Sequence, residues 1–379
     1  MRTINDIYKK FESVSLNTLE YAKKLKQENK KLVGCVLEFY PEELIHSLGF
    51  EPIPLWGSKN KISDARTYLP SFYCYPLQSV LQSAIDKELD IFDAVLVPVL
   101  CDSLKAFGQN LKVVLKDRSI PFVYPQNKST DHSLNFLKAE YLQIIEKLEA
   151  LTGSKFDEAK LAESMKLYNK RNSLIREFKA ISMHKESISP KLRSVIMRAG
   201  TVLNVEEYNE DMEFIIETLK QEEDVTLKNR VVLCGIQCSD EKFLDLLEEN
   251  GISVVEDNLL SESEQYSIDG LIDEGDLLAG LCQRWEKLSS TSLSYSTKKE
   301  RFDHIKDLVN RSDAQGVIII ETKFCDPEYY DYPLLKKYLD DNSIKSLFVE
   351  IDNFTKGNVS VKIETFLDIL KEGVHEKNS

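Results

Sequence analysis

Two short apolar runs, far apart in the chain, each end in the dipeptide Cys-Asp. The first is DAVLVPVLCD, with its cysteine at Cys101, and the second is QGVIIIETKFCD, with its cysteine at Cys325. Runs of this length that are rich in Val and Ile predict buried strands, and the residues after each run can form a helix. Because buried strands that alternate with helices are typical of a parallel sheet covered on both faces, the sequence predicts an α/β fold.

The elements around the two runs follow the same order. In the first half we predict a strand over 32–37, a helix that opens at Pro41 and stops at Gly49, and a strand over 52–55. In the second half, RVVLCGIQCSDEKFLDLLEENGISVVEDN predicts strand, helix, a stop at Gly251, and strand. Proline at a helix start and glycine just past its end match the preferences of those positions. The two halves are therefore interpreted as copies of one doubly wound unit.

The remaining pattern completes two Rossmann-like parallel-sheet domains joined by a helical segment. One helix with its cap is expected over the first thirty residues, and long helical stripes separate the two halves. Further helices are predicted over 75–89 and 103–115, and further strands over 94–100 and SIPFVYPQN. The predicted divisions are an N-terminal helix plus first α/β domain (1–150), a helical connecting segment (151–222) and a second α/β domain (223–379).

Charge and hydropathy exclude several classes of protein. The 379 residues carry 63 acidic and 49 basic side chains, a formal net charge of −14, which argues against nucleic-acid binding. The start, MRTINDIYKKFESVS, lacks the apolar core of a signal peptide, and no apolar run approaches the roughly 18 residues that span a membrane. We therefore expect a cytoplasmic protein whose seven cysteines stay reduced.

Three of those cysteines are candidates for chemistry. Cys101 and Cys325 follow predicted strands, and ligands of open parallel sheets bind beyond the carboxyl ends of the strands. Cys74, in YLPSFYCYPLQ, follows a proline-marked loop and opens a helix, where the helix dipole stabilises a thiolate. Their spacing matches no local zinc pattern, so each is either a ligand, a nucleophile or a buried small residue.

The other candidate residues receive structural interpretations. Cys234, Cys238 and Cys282 are expected to pack in the core. His46 is interpreted as a structural or surface histidine rather than a base. Arg193 is interpreted as a helix-surface arginine, in preference to an anion contact.

Two acidic residues near the first predicted strand also have a structural interpretation. Glu42 and Glu43 lie in the predicted first turn of a helix, where the dipole favours acids, so capping explains them. Motifs typical of other enzyme classes are absent, since the sequence contains no GxGxxG, GxxxxGK, HExxH or GxSxG.

Several longer motifs, taken together, resemble the 2-hydroxyacyl-CoA dehydratase family, which includes the related benzoyl-CoA reductase subunits. They are YPEELIHSLGFEPIPLWG, PVLCDSLKAFGQN, YPQN and KFCDPEYYDYPLLKK, with Cys74 after a Pro-Ser loop. Their order matches the family over nearly the whole chain. The chain is most similar to the smaller, β-type subunits that act on substrates like 2-hydroxyisocaproyl-CoA.

The resemblance implies an iron–sulfur enzyme. In this family three cysteines hold a 4Fe-4S cluster with a non-cysteine fourth site, and by position these are Cys74, Cys101 and Cys325. An α-type subunit completes a heterodimer, and an ATP-hydrolysing iron–sulfur activator supplies one electron. The electron converts the acyl-CoA thioester to a ketyl radical anion that expels the 2-hydroxyl group, which acidifies the β-proton. The implied activity is that of a hydro-lyase that forms an enoyl-CoA.

The resemblance also implies a division of labour between the subunits. Family α-type chains carry Gly-Trp-Ser near the first strand end and Pro-Glu-Asn after the second strand, whereas this chain has Gly34-Cys35-Val36 and Trp56-Gly57. With that hydroxyl and that carboxylate absent, we expect the acyl-CoA to bind at the partner's cluster, and no catalytic residue is assigned here. Cys35 is expected to pack in the core rather than act as a spare thiol.

Three other functions remain open from the sequence. Two belong to the same superfamily: a benzoyl-CoA-reductase-type subunit, and a homodimeric reductase with a double-cubane cluster. The third is an α/β binding protein whose cysteines are only core residues.

Overall fold

The structure, a computed structural model, describes residues 3–57, 61–128, 130–153, 155–272, 275–288, 291–294, 300–351 and 359–377. Its described strands form two four-stranded sheets in which all neighbouring strands are parallel. This confirms the predicted α/β class with two Rossmann-like sheets.

The two sheets have the same strand order. The first is ordered β2-β1-β3-β4 and the second β6-β5-β7-β8. In each sheet the chain starts at an inner strand, adds the edge strand on one side, and then crosses to the other side for its last two strands. This agreement supports the interpretation of the halves as two copies of one unit. The strands are β1 (Leu32–Val36), β2 (Glu51–Leu55), β3 (Ala94–Val99), β4 (Ser119–Val123), β5 (Arg230–Gly235), β6 (Ser253–Leu259), β7 (Gly316–Thr322) and β8 (Lys345–Ile351).

Helices cover the faces of both sheets and fill the segment between them. No helix in the described ranges has both the length and the apolar character that a membrane crossing requires. The helices are α1 (Ile4–Leu16), α2 (Thr18–Gln27), α3 (Glu42–Ser47), α4 (Tyr75–Ile85), α5 (Asp102–Leu115), α6 (Asp131–Thr152), α7 (Glu158–Ser182), α8 (Pro190–Val202), α9 (Val205–Leu219), α10 (Glu241–Glu249), α11 (Leu277–Lys287), α12 (Glu300–Arg311), α13 (Asp326–Asp341) and α14 (Val359–Lys377).

The prediction of a single N-terminal helix is wrong. The chain breaks at Asn17, which has a φ of −130° and a ψ of 50° and separates α1 from α2. The Asn17 side chain donates a hydrogen bond to the carbonyl oxygen of Ser13 at 3.1 Å. Short polar side chains that bond to nearby backbone compete with helix continuation, which explains the break.

The second sheet alternates its side chains between two apolar layers, as a strand period of two requires. Leu233, Ile318 and Ile320 belong to the layer with α10 and α14. On the opposite face, Cys234 and Ile319 pack with α12 and α13. This alternation fixes which charged side chains near the strand ends share a face.

One helix from the second half of the sequence packs on the first sheet. Trp285 of α11 lies in the same apolar core as the strands of that sheet, and its indole donates to the Pro125 carbonyl oxygen at 3.1 Å. Lys138 of α6 also pairs with Asp276, the cap of α11. The divisions at 150 and 222 stay a prediction, but the core of the first sheet extends beyond residue 150.

Candidate functional site

The three candidate cysteines occupy equivalent positions, because each is the N-cap of a helix. Cys74 precedes α4, Cys101 precedes α5 and Cys325 precedes α13. Two of these helices follow the central strands β3 and β7, as the sequence predicted. The parallel order of the strands brings their carboxyl ends to one edge of each sheet, where a site is expected.

Each of the three sulfur atoms is close to the backbone N–H three residues later. The amide of Leu104 donates to Cys101 Sγ at 3.4 Å. The corresponding amides of Leu77 and Glu328 act in the same sense on Cys74 and Cys325, since both lower the pKa of the thiol. An N–H group at a helix start stabilises negative charge, so these amides oppose the burial that raises the pKa of each of the three thiols.

The three thiols lie within electrostatic reach of one another. Burial raises the pKa of Cys74 to about 12, and the charge of Cys101 adds to that shift. The pKa of Cys325 is raised well above its usual range, first by burial, then by the charge of Glu328, and then by the charges of Cys74 and Cys101. Thiols that hinder one another's ionisation in this way need a cation to hold them as thiolates. The structure therefore brings together the residues that the sequence placed on three separate loops.

Exposure distinguishes these three cysteines from the others. Cys74, Cys101 and Cys325 are partly exposed, and no cysteine is in a disulfide. The buried ones are Cys35, Cys234, Cys238 and Cys282. All four belong to the apolar cores of the protein, where a buried cysteine acts as a small apolar residue, which confirms their packing interpretation.

The three cysteines supply the kind of donor that an iron–sulfur cluster takes. Among the described residues, no group of three or more His, Cys, Asp or Glu side chains has the geometry to hold one metal ion. In an iron–sulfur cluster each cysteine binds a different iron, so the sulfur atoms stand farther apart than around a single ion. Three convergent unpaired thiols, with backbone amides directed at them, fit an iron–sulfur cluster with three cysteine ligands.

Large aromatic side chains close in sequence to the candidate cysteines are exposed to solvent. Phe72, two residues before Cys74, is 64% exposed, and Tyr330, five residues after Cys325, is 82% exposed. Phe324 is also exposed. Aromatic side chains are enriched at protein interfaces, so this edge of the molecule is suited to contact another chain.

Two of the structural interpretations made from the sequence are wrong. Glu42 does not merely cap α3, because it pairs with Arg171 in the interior. Arg193 does not lie on a helix surface; it is buried and its guanidinium lies 2.6 Å from the Asp257 carboxylate. Both cases arise because an amphipathic pattern records only apolar positions and does not show which charges have a buried partner.

The other first-turn acid and the histidine also have partners. Glu43 forms a buried ion pair with Arg284 of α11, so capping does not account for it either. His46 Nδ1 lies 2.9 Å from Ser164 Oγ of α7, which agrees with a structural role.

The end of the first strand carries a carboxylate that the sequence patterns did not indicate. Glu38 is buried and accepts a hydrogen bond from the Trp56 indole at 3.0 Å. Burial and the charge of Glu42 raise the pKa of Glu38 well above its usual range. The predicted lack of a carboxylate concerns the stretch after the second strand, where Trp56-Gly57 stand, and it stays a prediction, because Glu38 follows the first strand. The only signal was Trp56, whose indole N–H needs an acceptor when it is buried.

Comparison with known proteins places these features in a family. The model described as 2-hydroxyglutaryl-CoA dehydratase, D-component, matches residues 38–370. The chain is 31% identical to the (R)-phenyllactyl-CoA dehydratase beta subunit of Clostridium sporogenes, over 93% of this chain and 95% of that protein. It is 30% identical to the (R)-2-hydroxyglutaryl-CoA dehydratase beta subunit of Acidaminococcus fermentans, over 97% and 100%. It is also 25% identical to a benzoyl-CoA reductase subunit of Thauera aromatica, over 83% and 84%. The motifs, the repeated fold and these matches agree, and the chain belongs to the 2-hydroxyglutaryl-CoA dehydratase D-component family.

Proposed function

We propose that this chain is the iron–sulfur β-type subunit of an (R)-2-hydroxyacyl-CoA dehydratase, a hydro-lyase that removes water to give an enoyl-CoA. The observation that supports this proposal best is the meeting of three partly exposed thiols at three helix starts. Cys74, Cys101 and Cys325 would hold a 4Fe-4S cluster, which supplies one-electron chemistry that no side chain provides.

The residues around the thiols prepare them to bind iron. The amides of Leu77, Leu104 and Glu328 stabilise the thiolate form, and burial makes the uncharged thiol the stable form without a metal. Binding of iron by the three cysteines therefore releases protons from their thiols. Because only three cysteines converge among the described residues, a non-cysteine ligand takes the fourth position of the cluster.

The proposed assembly contains an α-type subunit and an ATP-hydrolysing iron–sulfur activator. The relatives named above as beta subunits support an α-type partner. Exposed Phe72, Phe324 and Tyr330 beside the cysteines support a contact at this edge. The activator delivers the electron that the elimination requires.

The acyl-CoA substrate is proposed to bind at the partner's cluster. In this chain Gly34-Cys35-Val36 stands where α-type chains have Gly-Trp-Ser, so the buried Val36 takes the place of the serine and no hydroxyl is available there. The nearby Glu38 does not replace that hydroxyl, because its side chain is buried and one of its oxygens accepts from the Trp56 indole. This subunit then holds and tunes the electron, and the partner orients the thioester.

Reconstitution tests the proposal directly. The chain is co-expressed with an α-type subunit, purified without oxygen, mixed with the activator and ATP, and supplied with a 2-hydroxyacyl-CoA. We expect an enoyl-CoA without net reduction, and we expect Cys35→Ala in this chain to keep turnover within several-fold of wild type. A colourless protein free of iron would contradict the proposal.

The reductase type of subunit is the second candidate, and the match to the benzoyl-CoA reductase of Thauera aromatica favours it. The products discriminate the two functions. A reductase consumes two electrons for each product molecule, whereas a dehydratase recycles its electron. Enoyl-CoA formation that far exceeds the electrons supplied supports the dehydratase. A stable homodimer that is catalytically complete would instead support a double-cubane reductase.

A further inference from the structure

A buried carboxyl on the strand that precedes Cys325 has no role in the proposed function. Glu321 lies at the end of β7, four residues before Cys325, and its side chain is buried. Neither carboxylate oxygen of Glu321 has a hydrogen-bond partner among the described residues. A buried carboxylate without a partner is costly unless it holds a proton. Glu321 calls for an explanation, because β7 leads directly to Cys325, the N-cap of α13.

The register of the second sheet sets a like charge beside Glu321. Glu321 is the direct neighbour of Glu350 on β8, so the two carboxyls lie on the same face. Glu350 accepts a hydrogen bond from the Tyr329 hydroxyl. Like charges on adjacent positions repel, and this arrangement disfavours two ionised carboxylates.

Helices α12 and α13 bring further charges to that face. Glu328 of α13 is a third buried carboxylate, and its charge acts on Glu321 as well as on Cys325. Arg301 of α12 carries the positive charge that acts on Glu321. Its guanidinium already forms ion pairs with Glu328 at 3.1 Å and with Asp331 at 2.9 Å.

The other ionisable groups described on this face do not neutralise the negative charge of an ionised Glu321. Tyr329 and Tyr332 of α13 are within electrostatic reach of Glu321, and burial raises the pKa of both. The thiol of Cys234 on β5 shares the face and is buried. Burial, Glu328 and Glu350 together raise the pKa of Glu321 to about 8, against the opposing charge of Arg301.

We propose that Glu321 is a proton-holding residue for the three-cysteine site, which takes up a proton when an electron arrives there and releases it when the electron leaves. This inference rests on the proposed function. A one-electron donor adds one negative charge, and a hydronium ion or a protonated buffer molecule in the solvent gives one proton to Glu321, so the charge of the buried region changes less. One O–H bond forms on the Glu321 carboxyl as the bond between that proton and its solvent donor breaks, and the transfer reverses when the electron leaves. Glu321 acts through electrostatics and is a positioning residue rather than a catalytic one.

The sign of the effect follows from the charges. Added negative charge at the cysteines raises the proton affinity of Glu321, so reduction is easier when the carboxyl is protonated. The reduction potential is therefore expected to fall as pH rises through the range in which Glu321 titrates, and to level off on either side. A tenfold change in proton affinity on reduction corresponds to about 59 mV for a one-electron couple.

Potentiometric titration of the full-length, anaerobically purified chain between pH 6 and pH 10 tests this inference. Wild type should show a potential that falls with pH. Glu321→Gln, which is neutral at every pH, should abolish that dependence and hold the potential at the low-pH value. Glu350→Gln should keep the dependence but move it to lower pH, because one repelling charge is gone. Iron content and near-ultraviolet circular dichroism report whether each variant is intact.

Each outcome bears on one hypothesis. A wild type without iron contradicts the proposed function. An iron-replete wild type whose potential does not change with pH, or a Glu321→Gln variant with the wild-type profile, overturns the role of Glu321 alone. If Glu321→Gln fails to fold, Glu350→Gln still decides, since an unmoved pH range in that variant contradicts the electrostatic origin.

Discussion

Arg171 and Glu42 form a bidentate ion pair in which both side chains are buried. The two terminal nitrogens of Arg171 donate to the two Glu42 oxygens at 2.7 and 2.8 Å, and one also donates to the Gly200 carbonyl oxygen at 3.0 Å. The pair joins α3, beside the first sheet, to α7 of the connecting helices and to α8.

Removal of one partner of this pair should be strongly destabilising. Arg171→Ala leaves the Glu42 carboxylate buried without compensation, and such losses cost about 3–5 kcal/mol. Urea denaturation followed by circular dichroism measures the change. Lys220→Ala removes an exposed ion pair with Glu177 and should leave the midpoint unchanged. Equal urea midpoints for wild type and Arg171→Ala would show that the pair does not contribute to the stability of the folded protein.

Replacement of any proposed ligand should lower iron and sulfide content sharply. Cys74→Ser, Cys101→Ser and Cys325→Ser each remove one of the three sulfur donors of the cluster. The control is Cys282→Ser, because this buried cysteine lies on α11 in the core of the first sheet. Iron and acid-labile sulfide are assayed after anaerobic purification. Full iron retention in all three ligand variants would rule out this ligand set.

The stability of the protein should depend on pH through Glu262. Burial and the charge of Asp257 raise the pKa of Glu262 from 4.5 to about 7, although Arg193 opposes the shift. The folded protein therefore keeps a proton that the unfolded chain has already lost. This contribution to stability is complete below pH 4.5 and is lost as the pH rises through about 7.

Glu262→Gln isolates that contribution. The variant should flatten the fall in unfolding free energy between about pH 5 and pH 8, measured by urea denaturation at each pH. The matched control is Glu213→Gln, at an exposed position that pairs with Lys170. A variant that retains the wild-type slope would assign the pH dependence to other groups.

Exposed aromatic residues beside the cysteines should contribute to binding of the α-type subunit. Phe72→Ser and Tyr330→Ser should each weaken the heterodimer roughly tenfold, or about 1.4 kcal/mol. Val361→Ser, at a similarly exposed apolar position on α14, is the control. Calorimetry or sizing of the co-expressed chains measures the effect. If the three variants bind alike, the partner contacts a different surface.

The repeated Cys-Asp strand ends could be predicted from the sequence for a physical reason. Strand and helix periodicity fix the order of elements, and parallel strands bring their carboxyl ends together, so Cys101 and Cys325 had to lie at equivalent edges. Cys74 was found through the prolines around it. That all three sulfur atoms meet a backbone amide three residues later follows from the N-cap position, which the sequence showed clearly only for Cys74.

The buried charges could not be predicted in this way. A glutamate in the first turn of a helix looks the same whether it caps the helix, as expected for Glu42, or reaches across the interior to Arg171. The pairing of Glu321 with Glu350 depends on the register of β7 and β8, and a single residue of slip would place one of them on the opposite face. Tertiary contacts over long separations decide such cases.

The placement of α11 has a consequence for the order of folding. Trp285 completes the first core from a position 160 residues beyond its hydrogen-bond partner Pro125. Contacts this distant in sequence form slowly, because the intervening chain must be ordered before they contribute. During synthesis, the first half therefore emerges from the ribosome with an open apolar surface that its own residues do not cover. We expect this nascent stretch to depend on chaperones until α11 has been translated.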